Sequence, residues 1–156
     1  MAESVNKEEA LMIMVQNVAH ADNDQNYEYG DVGNEEENRY LSQIMEWEGI
    51  PSGWGAKWNR HTNGQIGNLV NNACKTLKRC SYDYRVKVVG YMIRMSEVCY
   101  EDSSSNDADG TSDTEWKYIK NWGQGFGVAM DDIKSAHHKV KPYKPGLVNI
   151  LSRFLN

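Results

Sequence analysis

The chain lacks cations where it is richest in acid. Residues 22–37 (DNDQNYEYGDVGNEEE) hold seven carboxylates and no Lys or Arg, and residues 101–116 (EDSSSNDADGTSDTEW) hold six and none. The net charge is only −5, so the rest of the chain carries +8. That remainder is mildly basic, but its cations are scattered and the acidic stretches would repel phosphate, which argues against a nucleic-acid partner. Long apolar runs are also missing: none approaches the ~20 residues of a membrane span. The opening MAESVNKEEA is acidic and polar, unlike a secretory signal. Cysteine is scarce, and Cys74, Cys80 and Cys99 cannot all pair internally. A reducing cytoplasm therefore suits the chain better than a disulfide framework.

Familiar catalytic patterns are absent too. There is no Gly-rich phosphate loop, no nucleophile elbow and no His-Glu-x-x-His. The spacing of His137-His138 and the cysteines matches no zinc finger or ribbon, and the cysteines read as buried or half-buried helix residues. Paired carboxylates can do acid–base work. Clusters this dense and polar lack the apolar burial that tunes a general acid, so the chain does not read as an enzyme.

What is present is helical periodicity. The 40% apolar and 25% charged content suits one globular domain spanning residues 1–156. Residues 7–21 place Leu11, Met14, Val15 and Val18 on one face, with Asn6 as N-cap. A second helix covers about 34–48, with Tyr40, Leu41, Ile44 and Trp47 inward, and stops at Gly49-Ile50-Pro51. Residues 52–64 read as irregular, and Trp54 and Trp58 are expected to pack across the bundle end ahead of the alternative, an exposed interface. Helices follow at 65–79, at 83–100 despite the β-branched start RVKVV, and at 111–126. Short helices are expected at 129–140 and 146–155. The fold class is all-α, a bundle of about seven helices.

The two acidic stretches occupy corresponding places. Val18-Ala19-His20-Ala21-Asp22 precedes the first, and Val98-Cys99-Tyr100-Glu101-Asp102 enters the second. Glu37-Asn38-Arg39-Tyr40-Leu41 follows the first, and Glu115-Trp116-Lys117-Tyr118-Ile119 follows the second. Both following helices end at Gly and a β-branched residue, Gly49-Ile50 and Gly127-Val128. The pattern predicts an internal pseudo-two-fold repeat of helix–acidic loop–helix hairpins.

So many carboxylates repel one another unless solvated or neutralised, and hard divalent cations take several such oxygens. In the second stretch, setting Gly110 at the turn of a calcium loop puts Ser105, Asp107, Asp109 and Asp113 at donor positions. The twelfth position is Trp116, with Glu115 one residue early, so this is not a standard EF-hand. In the first stretch Asp22, Asp24, Asn26, Glu28 and Asp31 alternate oxygens without the turn glycine. The candidate ligands are Asp102, Asp107, Asp109, Asp113 and Glu115, followed by Asp22, Asp24, Asp31 and Glu37. Calcium is expected ahead of magnesium.

These residues give the chain a resemblance to the tellurite-resistance protein B, or TerB-like, family. The resemblance rests on Ala21-Asp22 with Glu35-Glu36-Glu37 and Gly49-Ile50, and on Glu101-Asp102 with Asp113, Glu115 and Gly127-Val128. It covers about residues 7–50 and 84–132. It implies an all-helical domain with internal symmetry and acidic metal-binding positions. It also implies a protein partner in a stress-linked or membrane-associated signalling complex. The chain departs from the family in its longer Asp-to-Glu spacing, 15 residues in the first copy and 13 in the second, and in having no Gly after either Asp. The leading expectation is a cation-binding interaction module. The alternatives are a metal-free acidic surface that docks a basic partner, and a metal-assisted hydrolase.

Overall fold

In a computed structural model of the chain, the structure describes residues 4–19, 35–56, 63–101 and 113–145. Six α-helices lie among them: α1 (Lys7–Ala19), α2 (Glu35–Glu48), α3 (Asn63–Lys78), α4 (Tyr82–Glu101), α5 (Asp113–Gly125) and α6 (Met130–Ser135). A 3-10 turn at Ala136–Lys139 follows α6, and no strand occurs among the described residues. The all-α expectation holds. The helix expected at 146–155 lies outside the described residues.

Local signals fix the helix ends. Asn6 and Glu9 form a reciprocal box at the start of α1: the Glu9 amide donates to Asn6 Oδ1 at 2.8 Å, and the Asn6 amide donates to Glu9 Oε1 at 3.0 Å. Ser81 Oγ accepts the Tyr84 amide at 3.2 Å and opens α4. This helix runs unbroken through RVKVV, so the period over the whole segment outweighs the local β preference. At the other end of α2, Gly49 takes φ 67° and the Ile50 amide returns to the Met45 carbonyl at 2.8 Å. After α5, Gly127 takes φ 91° and the Val128 amide returns to the Gly123 carbonyl at 2.9 Å. Both are left-handed glycine caps of the Schellman kind.

Helix α1 is the centre of the molecule and packs against α2, α3, α4 and α5. Every residue from Glu9 to Val18 is buried. This differs from the single inward face expected from Leu11, Met14, Val15 and Val18. The run LMIMVQNV is apolar almost all round, and a helix of that kind is enclosed on all sides. Its two polar members are buried with it: Asn17 Nδ2 donates to the Ile13 carbonyl at 2.7 Å, and Gln16 is fully covered. Trp54 is also buried, as expected of packing across the bundle end; Trp58 lies outside the described residues.

Helix α4 forms the second axis, touching α1, α2, α3, α5, α6 and the 3-10 turn. Gly90 lets the 3-10 turn approach: a Cβ there would stand 2.5 Å from the Ala136 carbonyl oxygen. Where one helix was expected over 129–140, the chain leaves α geometry at Ser135 (φ −111°, ψ 0°) and tightens into the 3-10 turn. Arg85 reaches from α4 to the end of α5, with Nη1 donating to the carbonyls of Phe126 at 3.1 Å and Gly127 at 3.3 Å.

Residues 141–145 then cross α2 as a non-helical strap. Tyr40 Oη donates to the Lys141 carbonyl at 2.8 Å. Gln43 pairs with the main chain of Lys144 in both directions, Nε2 to the carbonyl at 2.6 Å and Oε1 from the amide at 3.0 Å.

Candidate functional site

Of the nine acidic residues singled out by sequence, Asp22, Asp24, Asp31, Asp102, Asp107 and Asp109 lie outside the described residues. Asp113 is the first residue of α5. The other two, Glu37 and Glu115, occupy matching places: each is the third residue of its helix, α2 and α5 respectively. Both are buried, with 9% and 4% of their surface exposed. Neither is left without a partner.

Two elements of local physics put carboxylates there. The first turn of a helix presents unpaired amides and the positive end of the helix dipole, which favours an anion. Helices α2 and α5 also turn apolar faces inward, through Tyr40, Leu41 and Ile44 in one and Ile119 in the other, and carry their third residues into cover. Burying an ionised carboxylate is costly unless charge or hydrogen bonds compensate. In sequence, the acidic stretches that lead to these two residues hold further carboxylates and no Lys or Arg.

On the helices that precede the acidic stretches, Gln16 of α1 and Ser96 of α4 are both fully buried. Ser96 Oγ donates to the Ile93 carbonyl at 2.6 Å. The residues lie 80 positions apart, the same offset as Val18 and Val98. Sequence reasoning passed over both. The signal was available as polar residues set inside apolar runs, VQNV and MSEV.

A half-buried acid at the end of α2 was not anticipated. Glu48, at the end of α2, accepts from Lys87 Nζ at 2.7 Å and from Tyr91 Oη at 2.8 Å, both on α4. Burial, together with the bond to Glu48, raises the Tyr91 phenol well above its ordinary range. Burial likewise raises Tyr40, with Tyr91 and Glu97 adding to the effect.

Among the described residues, the remaining candidates form no metal group. The rings of His137 and His138 lie tilted against each other with centroids 4.0 Å apart. Burial, then the neighbouring His138 and Arg94, holds His137 below its ordinary value. Cys74 is buried and Cys80 half-buried, both as free thiols that burial pushes up. Among the described residues no group of three or more His, Cys, Asp and Glu is placed to hold a metal ion. Among the described residues no helix is long and apolar enough to cross a membrane. No family model, curated protein or solved structure matches the chain.

Proposed function

We propose that the chain is a cytoplasmic, TerB-like helical module whose two acidic stretches bind divalent cations, calcium ahead of magnesium. The observation that carries this reading is the pair Glu37 and Glu115, buried carboxylates at the third position of the helices that follow the acidic stretches. The two lie 78 residues apart. The matching glycine caps at Gly49 and Gly127 and the buried Gln16 and Ser96 support an internal repeat of two hairpins.

In this reading Asp22, Asp24, Asp31 and Glu37 serve one cation, and Asp102, Asp107, Asp109, Asp113 and Glu115 the other. A hard cation relieves the mutual repulsion of these oxygens and takes its ligands as carboxylates and loop carbonyls. Cation binding would switch the acidic stretches into a docking surface for a protein partner in a membrane-associated complex. The test is thermal melting of the full chain in EDTA, in millimolar Ca²⁺ and in millimolar Mg²⁺. A rise with one cation supports selective binding to the native state. Identical melting in all three overturns the reading.

A further inference from the structure

The strap at residues 141–145 is held through its backbone as well as through its side chains. Gln43 satisfies both the amide and the carbonyl of Lys144, as a neighbouring strand would, and Tyr40 takes the Lys141 carbonyl. The side chains add aromatic contact. Tyr143 stands edge-on to Tyr40, with centroids 6.1 Å apart, and Tyr40 stands edge-on to Trp47 at 6.1 Å. Lys141 Nζ lies 5.3 Å from the centre of the Trp47 ring. Charge also matches: α2 carries five glutamates against one arginine, and residues 139–145 (KVKPYKP) carry three lysines. Both prolines, Pro142 and Pro145, force the residues before them into extended backbone. An aromatic face that binds an extended proline-containing segment through its main chain is a recurring mode of peptide recognition.

We propose that the Tyr40–Gln43–Trp47 face of α2 is a docking site for an extended Lys-Pro-Tyr-Lys-type segment of a partner protein, and that residues 141–145 occupy it as an autoinhibitory strap. The strap is tethered through the 3-10 turn, so it competes at high effective concentration and keeps the face closed to outside peptides. Contacts that read backbone are reproducible by any extended segment that places an aromatic between two cations. The face is distinct from the acidic stretches, and the proposal stands without the cation reading.

The test uses the full chain in EDTA, so cation binding plays no part, with a fluorescent KVKPYKP peptide as probe. Tyr143→Ala combined with Lys144→Pro removes the ring contact and the amide that Gln43 accepts, while touching no helix. The expected result is peptide binding about tenfold tighter to this variant than to the unaltered chain. Adding Gln43→Ala to the loosened variant should return binding to the starting level. Circular dichroism of both variants establishes that the helices remain. Equal binding by the folded loosened variant and the unaltered chain overturns the proposal. A dimer of the loosened variant that excess peptide cannot dissociate also overturns it, by assigning the face to a second copy of the chain.

Discussion

Tyr91 Oη and Glu48 Oε2 meet at 2.8 Å and join the middle of α4 to the end of α2. Lys87 Nζ holds the other oxygen at 2.7 Å, so one carboxylate is shared by two donors from the same helix. Charge-assisted bonds of this kind outweigh neutral ones, and the Glu48 side chain is only 15% exposed. Glu48→Gln should therefore cost about 1–2 kcal/mol in urea denaturation. A double-mutant cycle with Tyr91→Phe should return a coupling of about 1 kcal/mol. Strict additivity of the two changes would show that the contact contributes nothing.

The buried phenols set an alkaline limit on stability. Burial raises Tyr40, Tyr84 and Tyr91 furthest; Glu8 and Glu48 add to the effect at Tyr84, and the Glu48 bond adds to it at Tyr91. Their folded pKa values lie above the ordinary value of 10.0. Above that pH the unfolded chain releases these protons while the native state retains them. The contribution is thus complete below pH 10 and declines as pH rises beyond it. The melting temperature should fall steeply above pH 10, and phenolate absorbance from these three residues should appear only with unfolding. A smooth titration of all nine tyrosines within the native state would contradict this.

Much of this architecture was legible because helix ends carry chemical punctuation. Asn6, Gly49 and Gly127 each do what their positions predicted, since a cap depends on near neighbours alone. Periodicity gave α2 to α5 within a few residues, but it could not show that α1 is enclosed on all sides. A run such as LMIMV satisfies several faces at once, and only the packing of four other helices decides. The strap was illegible for a different reason. KVKPYKP has no period, and its partners Tyr40 and Gln43 lie 101 positions away. At the candidate site, Glu37 and Glu115 were found as acids, while their burial follows from how α2 and α5 pack.

Gly90 reverses the usual ranking of glycine and alanine. In a helix interior Gly→Ala ordinarily stabilises by about 0.5–1 kcal/mol. A methyl at position 90 would instead meet the Ala136 backbone oxygen and both Val140 methyls, at 2.5 Å and 3.1 Å. Gly90→Ala should therefore destabilise by about 1–3 kcal/mol, the usual cost of overpacking. Gly125→Ala is the matched control, because its Cβ would find its nearest neighbours at a comfortable 3.9 Å. Urea midpoints should move down for the first and stay level or rise for the second.

The two glycine caps should respond unequally to the same change. At Gly49 a Cβ meets nothing within 4 Å, so Gly49→Ala costs only the strain of φ 67°, about 1–2 kcal/mol. At Gly127 the strain is similar, but the Cβ would also collide with Arg85 Nη1 and displace it from the Phe126 and Gly127 carbonyls. Gly127→Ala should cost about 1 kcal/mol more than Gly49→Ala. Equal losses would mean that Arg85 contributes little to the end of α5.

Glu37 and Glu115 give the sharpest test of the cation reading, because replacement by Gln keeps their size while removing the charge and one acceptor oxygen. In the unaltered chain, a cation at about 100 times its Kd should add about 2.7 kcal/mol per site. That is a rise of about 5–10 °C for a chain of this length. Glu115→Gln should lose the binding event assigned to Asp102, Asp107, Asp109 and Asp113, and Glu37→Gln the one assigned to Asp22, Asp24 and Asp31. Calorimetric titration with Ca²⁺ should show one event remaining in each variant and neither in the double variant. Circular dichroism in EDTA should show both variants folded, so that a lost binding event reports on the ligand and not on the fold. If both variants melt lower in EDTA and keep the full response to calcium, these glutamates serve as helix-start anchors and the cations bind elsewhere.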